Sequence, residues 1–150
     1  MGGRRVFLTY TDEQRALRDE LRSYFSALMT PELRASLSQG EMEGEPYREM
    51  VRQLGRDGML GISWPKEYGG QGRDLLDQYI FFDESQRAAV PIPFLTLNTV
   101  GPTLMKFGTQ QQKDFFLPRI LAGELHFSIG YSEPGAGTDL ASLRTTAVRD

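Results

Sequence analysis

The chain has 150 residues, 39% hydrophobic and 25% charged, with a formal net charge of −3, no cysteine and a single histidine. That length suits one domain, or one domain with a piece of another. Zero cysteine removes disulfides and thiolate chemistry, a lone His126 leaves no histidine metal cluster, and 17 basic against 20 acidic residues argues against a nucleic-acid-binding module. A cytosolic globular protein remains, whose chemistry must come from a cofactor or from carboxylates.

The N-terminus carries two misleading signals. Met1-Gly2-Gly3 begins like a myristoylation site, but Val6 stands where Ser or Thr is needed. Arg4-Arg5 looks like an export signal, yet Thr11 to Arg15 is polar where an apolar run should follow. The uncharged stretch from Ala88 to Met105 has the length of a membrane span. Three prolines, Asn98 and three threonines within it mark it instead as protein interior.

Five helices are expected in the first 123 residues. Thr11 and Gln14 form a capping box ahead of Leu17, Leu21, Tyr24, Phe25 and Leu28 on one face, and Thr30-Pro31 ends the run. The polar stretch Ser36 to Glu45 reads as a loop, with Glu32 to Leu37 able to form a helical turn. Pro46 opens a second helix with Tyr47, Met50, Val51 and Leu54 at helical spacing, closed by Gly58 and Gly61. Ser63 to Gly72 is a long irregular loop with three glycines. A third helix runs from about Asp74 to Ala88. Leu75, Leu76, Tyr79, Ile80, Phe81 and Phe82 cover most of its circumference, which predicts a central position. A fourth spans Phe94 to Phe107. Thr109 and Gln112 cap a fifth, running through Phe116, Leu117 and Ile120 to Gly123.

Beyond Gly123 the period changes to two. Leu125, Phe127, Ile129 and Tyr131 alternate with His126, Ser128, Gly130 and Ser132, predicting a half-buried strand. A second strand-like run covers Arg144 to Val148. The expected class is therefore mainly α: an all-α helical domain over 1–123, followed over 124–150 by the first strands of an incomplete β domain. Two strands alone are marginal and leave open edges, which points to truncation.

The segment from Ile129 to Asp139 is the strongest local signal for chemistry. Its glycines permit close backbone approach to a ligand, and the Ser132 and Thr138 hydroxyls flank them. It is neither a dinucleotide nor a phosphate-loop motif, and spacing alone favours a structural turn. Glu133 beside it is a tempting general base, but a turn carboxylate bonding nearby backbone is the commoner use. His126 reads as a packing or solvated side chain rather than a catalytic one. Trp64 and Tyr68 either pack their loop onto the helices or cover a flat ligand. The stretch Phe94 to Met105 is equally plain core or the wall of an apolar pocket.

Tyr131-Ser132-Glu133-Pro134-Gly135-Ala136-Gly137-Thr138-Asp139 closely resembles the signature of the acyl-CoA dehydrogenases. Trp64-Pro65 with Tyr68 to Gly72, and Gly108-Thr109-Gln110-Gln111-Gln112-Lys113 through Pro118 to Gly123-Glu124, resemble other stretches of that family in the same order. Phe127 to Tyr131 and Leu143 to Ala147 are similar to a narrower group, actinobacterial enzymes acting on steroid side-chain CoA thioesters, often as complexes of two related subunits.

The resemblance implies an N-terminal helical domain, a middle β domain and a C-terminal bundle, with FAD between the last two. By position, Ile129 and Tyr131 would lie against the flavin and Ser132 would offer its hydroxyl to the ring edge. Gly137 and Thr138 would approach the pyrophosphate, with Thr138 also near the CoA portion of the thioester. Leu97, Gly101 and Leu104 are the candidates to line the acyl pocket. Thr138 departs from the commoner Ser but keeps the hydroxyl. The implied reaction is α,β-dehydrogenation: a glutamate takes the α-proton and the β-hydride passes to the flavin. Electrons then leave to an electron-transferring flavoprotein. The family's glutamate lies beyond the β domain, so no catalytic residue is assigned here and this stretch alone would be inactive. A homo- or hetero-tetramer of related subunits is implied. A non-catalytic subunit of a heteromeric dehydrogenase, or a stand-alone module binding acyl-CoA or a partner, are the competing readings.

Overall fold

The computed structural model describes residues 9–39 and 44–149. The two N-terminal signals and part of the expected 36–45 loop lie outside the described residues.

Helix α1 (Asp12–Leu28) begins at the expected capping box, with Thr11 and Gln14 each accepting from the other's backbone N–H. Its buried stripe is Leu17, Leu21 and Phe25. A helix α2 (Pro31–Gln39) follows, longer than the single turn anticipated. Leu33 and Leu37 give it a weak apolar face on the core, and Arg34 ties it down by donating to the carbonyls of Met29 and Ala88. Helix α3 (Gly44–Arg56) buries Tyr47, Met50, Val51 and Leu54, the four residues its spacing selected. Gly58 leaves it at φ 71° and leads into a 3₁₀ turn, Met59–Gly61.

The glycine-rich loop that follows is fixed by its own backbone. Gln71 and Arg73 donate to the carbonyls of Gly61 and Ile62, and Gly72 donates to Trp64. Helix α4 (Leu75–Arg87) starts at Asp74, whose carboxylate accepts from the N–H groups of Leu76 and Asp77. It packs along α1. There the buried Glu84 accepts two hydrogen bonds from the Arg22 guanidinium, at 3.0 and 2.7 Å.

The expected central position of α4 is corrected by the structure. Ile80 and Phe81 are buried, whereas Leu75 is 81% and Tyr79 56% exposed. All-round apolarity buries a helix only where elements exist to cover every side. Among the described residues nothing covers that outer face.

Residues 94–107 are helical throughout, but not uniformly. Thr96–Val100 is a π-helical turn that runs into α5 (Gly101–Phe107). Helix α6 (Gln110–Leu121) starts at the second expected capping box, and packs against α5. It ends at Gly123, at φ 70°, where a Cβ would fall 2.5 Å from the Val51 carbonyl oxygen of α3.

The mainly α character stands, but the two expected strands do not form. Among the described residues there is no ladder, only an isolated antiparallel bridge between Glu133 and Ala136. Burial still alternates where the segment touches the helices: Leu125 and Phe127 are partly covered and His126 and Ser128 are exposed. Strands need a neighbouring strand for their N–H and C=O groups, and residues 124–149 meet none among the described residues, only scattered single bonds.

Candidate functional site

Two regions bear on function: a cleft beside the π-helical turn, and the glycine loop near the end of the described chain.

The cleft has a volume of about 750 Å³. Trp64, Leu97, Pro102 and Met105 are among its apolar walls, with Gln78, Asn98 and Arg73 among its polar ones. Its shape follows from a local conflict in the helix. The Gly101 N–H donates to the Thr96 carbonyl, one residue further back than in an α-helix. The next donor in that register would serve Leu97, but residue 102 is proline and has no N–H. The indole Nε1–H of Trp64 fills the gap, donating to the Leu97 carbonyl at 3.0 Å. Gly101 makes room for that indole, because a Cβ there would sit 2.1 Å from its Cζ2.

Of the three residues expected to line an acyl pocket, Leu97 reaches this cleft. Gly101 lies behind Trp64, and Leu104 packs against the core. Trp64 is only 3% exposed, so its main work is packing, as the commoner reading held. Tyr68 is partly buried and carries the Lys113 ammonium 5.8 Å above its ring.

The glycine loop is held by a carboxylate. Glu133 accepts hydrogen bonds from the backbone N–H groups of Arg144 (2.9 Å) and Thr145 (2.7 Å), and from the Thr145 hydroxyl. These bonds, the Thr145 hydroxyl first, hold its carboxyl below the usual glutamate value. A carboxylate so occupied is a clamp rather than a base, which agrees with the turn reading. Within the clamp, Glu133 and Ala136 exchange backbone hydrogen bonds at 3.0 Å and the Ala136 side chain is buried.

The rest of the loop faces outward. Ile129 is 45% and Tyr131 61% exposed, and Ser132, Gly137 and Thr138 are exposed. The Ser132 and Thr138 hydroxyls and the N–H groups of Gly135, Gly137 and Thr138 bond nothing among the described residues. Apart from the glycine and its chain neighbours, no atom of the described residues lies within 4 Å of where a Cβ would stand at Gly130, Gly135 or Gly137. The loop therefore presents two apolar side chains beside a row of free donors. None of these residues lines the cleft.

His126 joins neither region. Its ring packs 5.7 Å from that of Tyr47, and partial desolvation lowers its pKa below the ordinary imidazole value. Sequence reasoning missed Thr96, a buried residue whose hydroxyl accepts from the Phe127 N–H at 3.0 Å and donates to its carbonyl. It also missed the Gln78–Asn98 amide pair in the cleft. Both pairings are long-range and leave no local pattern. Pro102 inside a helical run is the one signal that could have flagged the π turn.

The described residues thus form a helical domain with a lined cleft, followed by a clamped glycine loop with free donors. Residues 11–124 match the N-terminal domain of the acyl-CoA dehydrogenases, and the chain belongs to that family. It is 66% identical to the acyl-CoA dehydrogenase FadE26 of Mycobacterium tuberculosis, over 95% of this chain and 36% of that protein. Among solved structures it superposes on the ChsE4-ChsE5 complex of Mycobacterium tuberculosis with TM-score 0.90 and 63% identity, covering 97% of this chain and 36% of that one. For the Tcur3481-Tcur3483 steroid ACAD the TM-score is 0.89 and the identity 57%, covering 97% and 38%. The chain thus spans little more than a third of the length of these relatives. Among the described residues no helix is long and apolar enough to cross a membrane, and no group of three metal-ligating side chains occurs.

Proposed function

We propose that these residues are the N-terminal part of a cytoplasmic subunit that dehydrogenates an acyl-CoA thioester across its Cα–Cβ bond with FAD, the acyl group being a steroid side chain. The helical domain occupies 1–123, and 124–150 opens a middle domain that holds the cofactor. The observation that carries the reading is the loop Ile129–Asp139. Its clamp fixes the backbone while its donors and apolar side chains stay free, which suits a flat ring with a polar edge and a charged tail. Ile129 and Tyr131 would lie against the ring, Ser132 would bond its edge, and the Gly137 and Thr138 N–H groups would meet the pyrophosphate. FAD, when bound, supplies the hydride acceptor. Leu97, with Gly101 and Leu104 behind it, shapes the wall that excludes water from the acyl chain. We assign the base that takes the α-proton outside these residues, as the family resemblance implies; Glu133 itself is committed to the 144–145 backbone.

The two solved relatives are each named as a pair of components, ChsE4-ChsE5 and Tcur3481-Tcur3483, and we assign this subunit to a tetramer with a related partner, passing electrons to an electron-transferring flavoprotein. The uncovered face of α4 and the segment 124–149, which forms no strand among the described residues, fit a domain that packs against more protein. The test uses the whole polypeptide, alone and co-expressed with its related subunit, given a steroid side-chain CoA thioester and an electron acceptor. A product two hydrogens lighter is expected. If no such product forms in either preparation, the reading fails. Formation only in the mixed preparation, with the base on the partner, would make this the non-catalytic subunit.

A further inference from the structure

Thr96 stands where the helical domain meets the segment that leads into the glycine loop. Its carbonyl accepts the Gly101 N–H that makes the π turn, and its neighbour Leu97 walls the cleft. A helical threonine commonly returns its hydroxyl to the carbonyl three or four residues back, as Thr103 does to Thr99 at 2.7 Å. Thr96 does not. It is buried, and its hydroxyl crosses to a residue 31 positions along the chain, accepting from the Phe127 N–H at 3.0 Å and donating to the Phe127 carbonyl at 3.5 Å. One hydroxyl thus takes the place of a neighbouring strand, which would meet both groups of that residue. Among the described residues these two hydrogen bonds are what joins 125–149 to the helical domain. The others made by that segment stay within 133–145. Leu125 and Phe127 also pack on the core, and the Phe127 ring lies 5.6 Å from that of Phe116. Apolar contact is non-directional and holds a segment down without fixing its register, whereas a bonded N–H and C=O fix it.

We propose that Thr96 is a positioning residue for the cofactor: its hydroxyl sets the register of residues 127–131, and with it the places of Ile129, Tyr131 and Ser132 against FAD. The inference rests on the glycine loop holding FAD. Ile129 and Tyr131 begin two residues past Phe127 and are exposed, so the helical domain offers them no other guide. Without the hydroxyl the Phe127 ring still anchors the segment, but the backbone beyond it is free to slide. FAD must then order it, and that ordering is drawn from the binding free energy.

The test uses the full-length polypeptide with its partner subunit, stripped of flavin and titrated with FAD, as wild type, Thr96→Val and Thr96→Ser. Valine keeps the shape without the hydroxyl, and serine keeps the hydroxyl. Thr96→Val should raise the FAD Kd roughly tenfold, the scale of one lost hydrogen bond. It should also alter the visible circular dichroism of the bound flavin and quicken amide exchange at Ile129 and Tyr131. Thr96→Ser should stay within about threefold of the wild-type Kd and keep the wild-type flavin spectrum. A wild-type Kd and spectrum in Thr96→Val would overturn the proposal. So would a serine variant as impaired as the valine one, since packing rather than bonding would then be at work. Should Thr96→Val not fold, wild type decides: by reciprocity FAD should slow exchange at the Phe127 amide, and an unchanged rate there overturns the proposal. Wild type that binds no FAD would remove the cofactor reading, and exchange at Ile129 and Tyr131 in the valine against the serine variant would then decide the register by itself.

Discussion

Replacing Gly101 by alanine tests how the cleft is built. The new methyl carbon would lie 2.1 Å from Trp64 Cζ2, 2.6 Å from Cη2 and 3.0 Å from Cε2. Carbon atoms pack at about 3.5–4.0 Å, so the indole must retreat by roughly 1.5 Å. It is 3% exposed, so a retreat presses it on packed neighbours or pushes it into the cleft it walls. Moving it breaks the Nε1 bond to the Leu97 carbonyl, which Pro102 leaves without a donor from its own helix. Overpacking of this kind costs about 1–3 kcal/mol and a stranded carbonyl about 1–3 kcal/mol more. The combined loss is about 2–6 kcal/mol, or roughly 8–24 °C in Tm at about 4 °C per kcal/mol for a domain of this size. Thermal unfolding followed by tryptophan emission reads both effects, since Trp64 is the only tryptophan of the 150 residues. A Gly101→Ala protein within about 0.5 kcal/mol of wild type, the level of a surface substitution, with unchanged emission would refute the argument.

Three further outcomes follow from the same geometry. Thr96→Val leaves the Phe127 N–H and carbonyl without their hydroxyl partner, and should cost about 1–2 kcal/mol with faster hydrogen exchange at Phe127; unchanged exchange would contradict the assignment. The Glu133 carboxyl titrates below its usual 4.5, so the clamp's stabilisation is complete above that value and is lost as pH falls through the lower folded one. Exchange at the Arg144 and Thr145 amides should quicken over that acid range, and Glu133→Gln should show quickened exchange already at neutral pH. His126 is also held below its ordinary 6.5, chiefly by desolvation, so protonation works against the folded form and stability declines as pH drops from 6.5 toward the folded value. An imidazole NMR titration should give a midpoint under 6.5 that rises in Tyr47→Ala, and a midpoint at or above 6.5 would be a contradiction.

How much was legible depended on how local each cause was. Both capping boxes and the faces of α1, α3 and α6 were readable because they rest on residues three or four apart. Helix α2 was not, since Leu33 and Leu37 give it little apolar signal and Arg34 anchors it to Ala88, 54 residues away. The π turn arises from Pro102 acting together with Trp64, and no window of sequence contains both. On α4 the pattern showed which residues are apolar but not that Leu75 and Tyr79 lack cover. The alternation was real in burial over 125–128 and lost beyond, where Ile129 and Tyr131 are exposed, because a period of two cannot supply the neighbouring strand. In the loop, the Glu133 clamp spans only 11 and 12 residues and was foreseen as a turn carboxylate. The roles of Ile129, Tyr131, Ser132, Gly137 and Thr138 came from family resemblance alone.

The central claim is that the clamped glycine loop holds FAD, and the most direct measurement is the flavin released on denaturing the purified whole protein. Wild type should release FAD in fixed ratio to the cofactor-binding subunit. Gly137→Val, which crowds the loop's donors at a position where a Cβ meets no protein atom, should release far less while its far-ultraviolet circular dichroism is retained. Equal flavin content in wild type and variant, or no flavin in wild type, would contradict the account.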